Sequence, residues 1–197
     1  MFERELRDAS FVPRWTTVRS HRTQSVADHS FYVAIYSGQI ADHLAWPGNR
    51  HELLLWALWH DMPETATGDI PGPMKRRISQ AAPDTLPTID AETMGYRFPS
   101  APVDWDDAHG VGGDQIVKLA NKIDELAWLM TEKQLGNGSI NQSVVENTIK
   151  SAAAIIDVWE AAPSWVIPPG RLPALGRAIV KLLGDHALEY SKCVVDK

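Results

Sequence analysis

The stretch from 116 to 130 reads Ile-Val-Lys-Leu-Ala-Asn-Lys-Ile-Asp-Glu-Leu-Ala-Trp-Leu-Met, and its apolar residues recur every three or four positions. This spacing places them along one face of an α-helix. The segment Gly136-Asn-Gly138 follows, and glycine readily adopts the left-handed backbone conformation that closes a helix. The stretch therefore predicts a long amphipathic helix that ends before Gly136.

Helical patterns also lie on both sides of this segment. Ser25 is suited to cap a helix that Trp46-Pro47-Gly48 ends, because serine accepts a hydrogen bond from the free amides of a first turn. The apolar segment His51–His60 fits a buried strand or a buried helix by periodicity alone, but its Leu, Ala and Glu content favours a helix. Further helices are predicted over 2–9, 144–159 and 175–190. The fold class predicted from these segments is all-α.

The segment from Pro83 to Gly113 breaks this pattern with four prolines and four glycines. It predicts a long irregular loop, and loops of that length are often functional. Because 197 residues is close to the size of one domain, we expect residues 1–197 to form a single helical domain.

Charge and composition exclude several classes of function. The 19 Lys and Arg residues against 25 Asp and Glu residues give a net charge of −6, which disfavours a nucleic acid polymer as partner but permits a small phosphorylated substrate. The single cysteine, Cys193, excludes a disulfide framework and suits a reducing, cytoplasmic location. No apolar run is long enough to span a membrane, and the first residues do not resemble a signal peptide.

Residues that ligate metals occur on three of the predicted helices. His29 lies early on one helix, the pair His60-Asp61 follows the apolar segment, and Asn121 and Asp124 lie on the helix described first. Imidazole nitrogens and carboxylate oxygens are good ligands for a divalent transition ion such as cobalt, manganese or zinc. Glu64 follows Asp61 by three residues, so it can face the same cavity as a general acid or base.

Four local motifs occur in order around these residues, namely Arg14-Trp15, Arg22-Thr-Gln-Ser-Val-Ala-Asp-His29, His60-Asp-Met-Pro-Glu64 and Thr67-Gly-Asp-Ile-Pro-Gly-Pro-Met-Lys75. Together they resemble the HD-domain metal-dependent phosphohydrolases, in particular the YfbR-like 5′-deoxynucleotidases and the related phage dATP triphosphohydrolases. The resemblance runs from about Val12 to Lys75 and resumes from Ile116 to Gly138.

The resemblance implies a function and a set of site residues. The function is hydrolysis at the α-phosphorus of a deoxynucleotide by a metal-activated water, releasing phosphate from a monophosphate or triphosphate from a triphosphate such as dATP. It implies an HD-type fold and a homo-oligomer. His29, His60 and Asp61 would bind the ion, with Asp61 and Glu64 the catalytic carboxylates. The implied substrate-binding residues are Arg14 and Lys75 at the phosphate, Trp15 at the sugar or base, and Asp69 at the sugar hydroxyl or a second ion.

The chain departs from the family pattern at the last metal ligand. Where the family carries an aspartate after Leu-Ala, this chain carries Asn121, and Asp124 lies one helical turn further on. Asn121 ligates, or Asp124 has taken the role, or the site is weakened. A carboxylate binds such a cation better than an amide does, which favours Asp124 slightly. The departure also leaves open a non-catalytic HD-fold module that binds a nucleotide or oligomerises.

Overall fold

The computed structural model describes residues 4–94, 112–160, 167 and 169–183. Within those ranges the chain forms a 3₁₀ helix at Arg4–Ser10 and eight α-helices: α1 (Val26–Leu44), α2 (Arg50–Trp59), α3 (Glu64–Thr67), α4 (Gly72–Ala81), α5 (Thr85–Met94), α6 (Gly113–Gln134), α7 (Gln142–Glu160) and α8 (Arg171–Leu183). The same residues contain no strand beyond an isolated bridge between Pro13 and Ser25. The all-α prediction is confirmed. No helix in this part of the chain is both long and apolar enough to cross a bilayer.

The helix starts follow local sequence chemistry. The Ser25 hydroxyl accepts a hydrogen bond from the Asp28 amide at 3.1 Å, and the Asp28 carboxylate accepts one from the Ser25 amide. This reciprocal cap satisfies two backbone donors that have no partner within the helix. Asn49 caps α2 in a similar way, so the helical interpretation of the segment after it is confirmed.

The predicted long loop from Pro83 to Gly113 is wrong in its first part, because Thr85–Met94 forms α5. Pro87 is the third residue of this helix, where its missing N–H costs nothing since the first-turn amides have no intrahelical partner. Residues 95–111 of the predicted loop lie outside the described residues. The predicted last helix begins earlier than expected, at Arg171, and its predicted end at 190 also lies outside them.

Three helices form the centre of the core. Helix α1 packs against both α2 and α6, and α6 also packs against α7. The fully buried apolar residues at these contacts include Leu44 of α1, Leu53 of α2 and Leu119 and Leu129 of α6. Polar side chains are buried in the same layer, among them His29 on α1 and Asp124 on α6. Burying such groups is costly unless they are hydrogen-bonded, so their partners locate the candidate site.

Candidate metal centre

His29, His60 and Asp61 form the one cluster of three or more metal-ligating side chains among the described residues. His29 comes from the second turn of α1, while His60 and Asp61 directly follow α2. One ligand atom from each lies within 4.8 Å of the others. The Nε2 atoms of both imidazoles are 3.4 Å from Oδ2 of Asp61. The helices thus bring together the three residues that the sequence singled out as ligands.

Both imidazoles turn the same ring atom toward this cluster. Nδ1 of His60 donates to the carbonyl oxygen of Ala57 at 2.7 Å, since a carbonyl can only accept. Nδ1 of His29 lies 2.6 Å from Oδ2 of Asp124. Both Nε2 atoms are buried and have no hydrogen-bond partner among the described residues. Two unpaired imidazole nitrogens beside a carboxylate are a donor set that fits a divalent transition ion.

The Asp61 carboxylate is held in its anionic form. Burial raises its pKa, but His60, His29 and Arg14 together bring the pKa well below its ordinary value. Nη1 of Arg14 lies 2.8 Å from Oδ2 of Asp61. An ionised carboxylate supplies a negative charge that imidazole ligands cannot.

The two α6 candidates, Asp124 and Asn121, have different hydrogen-bond partners. Asp124 accepts from Nδ1 of His29, which is the ring atom opposite Nε2, and it also accepts from Nε2 of Gln24 at 2.8 Å. Oδ1 of Asn121 is buried and has no hydrogen-bond partner in the described part of the chain. The slight preference for Asp124 as the direct ligand is not supported by this arrangement, because Oδ2 of Asp124 is hydrogen-bonded to Nδ1 of His29 and to Gln24.

Glu64 begins α3 and is buried beside the cluster. Its Oε1 accepts from Nζ of Lys75 at 2.6 Å, and its Oε2 lies 3.7 Å from Nη1 of Arg14. Burial and the nearby Asp61 raise the pKa of Glu64 to about 7, against the opposing effect of Lys75 and Arg14. A carboxyl group with a pKa near neutrality can both accept and release a proton at physiological pH.

A cavity of about 400 Å³ adjoins the cluster. Its lining includes Asp61 and Asn121 and all four residues that the resemblance assigns to the substrate, namely Arg14, Trp15, Asp69 and Lys75. A larger cavity, of about 740 Å³, lies between α1, α6 and α8 and contains no residue of the cluster. The smaller cavity therefore combines cations, an aromatic wall and candidate metal ligands.

Trp15 forms a wall of this cavity in a conformation that several contacts maintain. Its φ of 62° is in the left-handed region, which a non-glycine residue adopts only when its surroundings hold it there. The indole stacks on Trp128 with centroids 4.7 Å apart, the Trp15 amide donates to Asp69 at 3.1 Å, and the indole N–H donates to Gln24 at 2.8 Å. Neither Trp128 nor Gln24 is among the site residues expected from the sequence.

Glu132 is a further residue that sequence reasoning missed. Its side chain is fully buried on α6 and accepts hydrogen bonds from the amides of His21 and Arg22 and from the side chain of Asn137. Burial raises its pKa, but these donors outweigh that effect and the pKa is lowered. Glu132 thus fixes the segment that joins Trp15 to α1. Its position among the apolar residues of the predicted helix was the available signal.

Comparisons with known proteins give the following relatives. Residues 7–86 match a family model described as an HD domain. A dATP triphosphohydrolase of Salmonella phage PMBT28 is 30% identical over 139 residues, which are 66% of this chain and 66% of the relative. The 5′-deoxynucleotidase YfbR of Salmonella typhi is 30% identical over 128 residues, which are 63% of this chain and 59% of the relative. The aligned part is less than two thirds of the length of either relative.

A solved structure has a similar fold. It is described as the cyanophage S-2L HD phosphohydrolase DatZ bound to dA and one catalytic Zn²⁺ ion. Its TM-score with this chain is 0.67 at 17% identity, over 93% of this chain and 97% of that one. At that identity the likeness bears on the fold alone.

Proposed function

We propose, from the match of residues 7–86 to an HD domain and from the relatives above, that this chain hydrolyses a phosphate bond of a deoxynucleotide with a divalent transition metal ion. One observation carries the proposal, namely that the His29–His60–Asp61 cluster opens beside a cavity lined by cations and a tryptophan. We propose further that residues 1–197 act as one domain. The cytoplasmic location stays a prediction from the sequence. So does the homo-oligomer, and light scattering of the purified protein tests it.

The metal ligands in this proposal are His29, His60, Asp61 and Asn121. The unpaired Nε2 atoms of the two histidines, the anionic Asp61 and the unpaired Oδ1 of Asn121 support this set over one that includes Asp124. When bound, such an ion acts as a Lewis acid and lowers the pKa of water toward neutrality. Asp124 then holds His29 in place rather than touching the ion.

The remaining residues of the site act on the substrate itself. Glu64 exchanges a proton at its Oε2. This atom lies 3.7 Å from Nη1 of Arg14 and has no hydrogen-bond partner among the described residues. Arg14 and Lys75 bind the phosphate oxygens, since both are cations that line the cavity. Trp15 offers the sugar or base its free face, because Trp128 covers the other. Asp69 holds the Trp15 amide and lines the cavity where the sugar hydroxyl would lie.

We favour a deoxynucleoside triphosphate such as dATP over a monophosphate. Four cations line the cavity, and three of them face a carboxylate within the protein: Arg14 faces Asp61, Lys75 faces Glu64 and Lys122 faces Glu125. Arg76 also lines the cavity and forms no ion pair within the described ranges. A monophosphate needs only the first two cations, whereas a triphosphate tail gives Arg76 an anionic partner.

Product analysis tests the function directly. The protein is incubated with dAMP and with dATP in the presence of Zn²⁺, Co²⁺ or Mn²⁺, and phosphate, triphosphate and deoxyadenosine are resolved. We expect deoxyadenosine and triphosphate from dATP. Stoichiometric metal without any product would instead favour the non-catalytic module.

A pair of neighbouring arginines tests the choice of substrate. Arg76→Ala should lower kcat/KM for dATP by about tenfold, the contribution of one charged hydrogen bond, and leave dAMP unaffected. Arg77→Ala is the matched control, because Arg77 is also exposed on α4 but does not line the cavity. Equal effects of the two variants on dATP would contradict the assignment.

A further inference from the structure

Gln24 links the aromatic wall of the cavity to a metal ligand. This residue lies just before α1 and is 5% exposed. Its Oε1 accepts from the indole N–H of Trp15 at 2.8 Å, and its Nε2 donates to Oδ2 of Asp124 at 2.8 Å. The same oxygen of Asp124 lies 2.6 Å from Nδ1 of His29. A continuous chain of three hydrogen bonds therefore joins Trp15 to His29.

The polarity of each bond in this chain follows from the one before it. An indole nitrogen only donates, so Gln24 must turn its carbonyl oxygen toward Trp15. Its amide nitrogen then faces Asp124, and because that group only donates, Oδ2 of Asp124 must accept. The reverse orientation of Gln24 would oppose two donors at Trp15 and two acceptors at Asp124. The indole thereby determines the orientation of a buried amide.

The last of these hydrogen bonds, between His29 and Asp124, sets the tautomer of His29. Because Oδ2 of Asp124 is an acceptor, Nδ1 of His29 carries the hydrogen, and in the neutral ring Nε2 is left with a lone pair. Nε2 is the atom that faces His60 and Asp61. We infer that Gln24 is a positioning residue, which is oriented by the Trp15 indole, holds Oδ2 of Asp124 against Nδ1 of His29 and so presents Nε2 of His29 to a metal ion. The inference uses the proposed function only in taking His29 as a ligand.

A similar hydrogen bond between a tryptophan and a glutamine lies elsewhere in the protein. The indole N–H of Trp159 donates to Oε1 of Gln115 at 2.6 Å. Gln115 lies on α6 nine residues before Asp124, about 13 Å away along the helix axis at ~1.5 Å per residue. It is not among the cluster residues or those lining the cavity beside them. Substitutions at Gln115 and Trp159 therefore reproduce the loss of a Trp–Gln bond without touching His29.

The first experiment compares Gln24→Met with Gln115→Met. Zn²⁺ affinity is measured by competition with a chelating dye, without nucleotide. The tautomer of His29 is read from long-range ¹H–¹⁵N correlations of ¹⁵N-histidine-labelled, metal-free protein at a pH where the ring is neutral. We expect Gln24→Met to weaken Zn²⁺ binding about tenfold or more, as changes to groups that orient a metal ligand do, and to replace the Nδ1–H form by a mixture. Gln115→Met should change neither quantity.

The second experiment tests whether the polarity begins at the indole. Trp15→Phe keeps an aromatic ring against Trp128 but removes the N–H, so Gln24 is free to turn. Zn²⁺ affinity should fall about two- to tenfold, the contribution of one neutral hydrogen bond, while Trp159→Phe leaves it unchanged.

Two outcomes would overturn the inference. One is an unchanged Nδ1–H tautomer in Gln24→Met, and the other is a loss of Zn²⁺ affinity that Gln115→Met shares. If the unsubstituted protein binds no Zn²⁺, the proposed function fails at its first step. The tautomer measurement on metal-free protein still decides the role of Gln24, so the two failures are distinguishable.

Discussion

At the scale of single residues, the two histidines of the cluster expose the same ring nitrogen for different reasons. His60 is oriented by the carbonyl of Ala57, three residues earlier in the last turn of α2. His29 is oriented by Asp124, 95 positions away on α6. Local backbone geometry fixes the first ligand as soon as α2 forms, whereas the second depends on α1 packing against α6. We therefore expect His29 to be the ligand that is more sensitive to changes elsewhere in the fold.

Glu64→Gln tests the proposed acid–base residue. The change keeps the shape of the side chain but removes the group whose pKa lies at about 7. We expect kcat to fall by about 10²–10⁴, the usual contribution of general acid–base catalysis, while Zn²⁺ stays bound. Glu125→Gln is the matched control, because Glu125 lines the same cavity and is paired with Lys122. A kcat within a few-fold of the parent would leave Glu64 as a residue that merely begins α3.

The assignment of Asn121 as the last ligand and Asp124 as the residue that orients His29 predicts the effect of a substitution at each position. Asn121→Asp should tighten Zn²⁺ binding, because it adds a negative charge where an unpaired oxygen already lies. Asp124→Asn should weaken binding about 10- to 100-fold, as loss of a group that orients a ligand does. Calorimetric titration of both variants measures the two effects. Weaker binding by Asn121→Asp would return the ligand role to Asp124.

The sequence was sufficient to propose each member of the cluster but not the partners of those members. His29, His60 and Asp61 stand in motifs whose residue types carry the chemistry. Gln24 is an ordinary polar residue in the motif that contains His29. Its importance arises from contacts with Trp15 and with Asp124, which lies 100 positions away. Long-range hydrogen bonds of this kind have no local periodicity that would reveal them.

At the scale of elements, α6 serves both the core and the site. One face contributes Leu119 and Leu129 to the core, while Asp124 contacts His29, Asn121 lines the cavity beside the cluster and Glu132 lies two turns beyond Asp124. Glu132 receives two backbone amides from the segment that precedes α1. Helix α6 thereby positions Trp15 and α1 relative to each other.

Glu132→Gln tests whether the ionised Glu132 holds this segment, because the stability lost in this variant should depend on pH. A folded-state pKa below the ordinary value means that the ionised carboxylate stabilises the fold. This contribution is fully present above the ordinary glutamate pKa of about 4.3 and is lost as the pH falls through the lower, folded-state pKa. We expect Glu132→Gln to lower the free energy of unfolding at pH 7 by about 1–3 kcal/mol, with a smaller difference below about pH 4.

Urea denaturation at several pH values measures both quantities. Glu146→Gln on the exposed face of α7 is the control and should change the free energy of unfolding little at every pH. If the free energies of unfolding of the parent and Glu132→Gln differ by the same amount down to pH 3, the stabilising role of the ionised Glu132 is contradicted.

The elements themselves were predicted with uneven success, for physical reasons. The α6 stretch and the Ser25-capped α1 were predictable, because their periodicity or caps are local. Helix α5 was missed because Pro83 and Pro87 suggested an irregular segment, although a proline in the first helical turn loses no hydrogen bond. Proline content alone therefore overestimates loops wherever the prolines cluster at a helix start.

At the scale of the whole molecule, the candidate ligands come from three distant parts of the chain. His29 lies on α1, His60 and Asp61 follow α2, and Asn121 lies on α6. Only the folded chain brings these residues together, since His60 lies 31 positions after His29 and Asn121 lies 60 positions after Asp61. An ion bound by all of them would hold together the three helices at the centre of the core.

Thermal unfolding with and without Zn²⁺ tests this cross-link. A ligand that binds only the folded state at 100 times its Kd stabilises that state by about 2.7 kcal/mol. For a chain of this size each kcal/mol raises Tm by about 2–4 °C, so saturating Zn²⁺ should raise it by about 5–10 °C. His60→Ala should abolish most of the rise, because it removes a ligand contributed by the end of α2. His51→Ala, on the exposed start of the same helix, should keep it. An equal rise in the two variants would mean that Zn²⁺ stabilises the protein from another site.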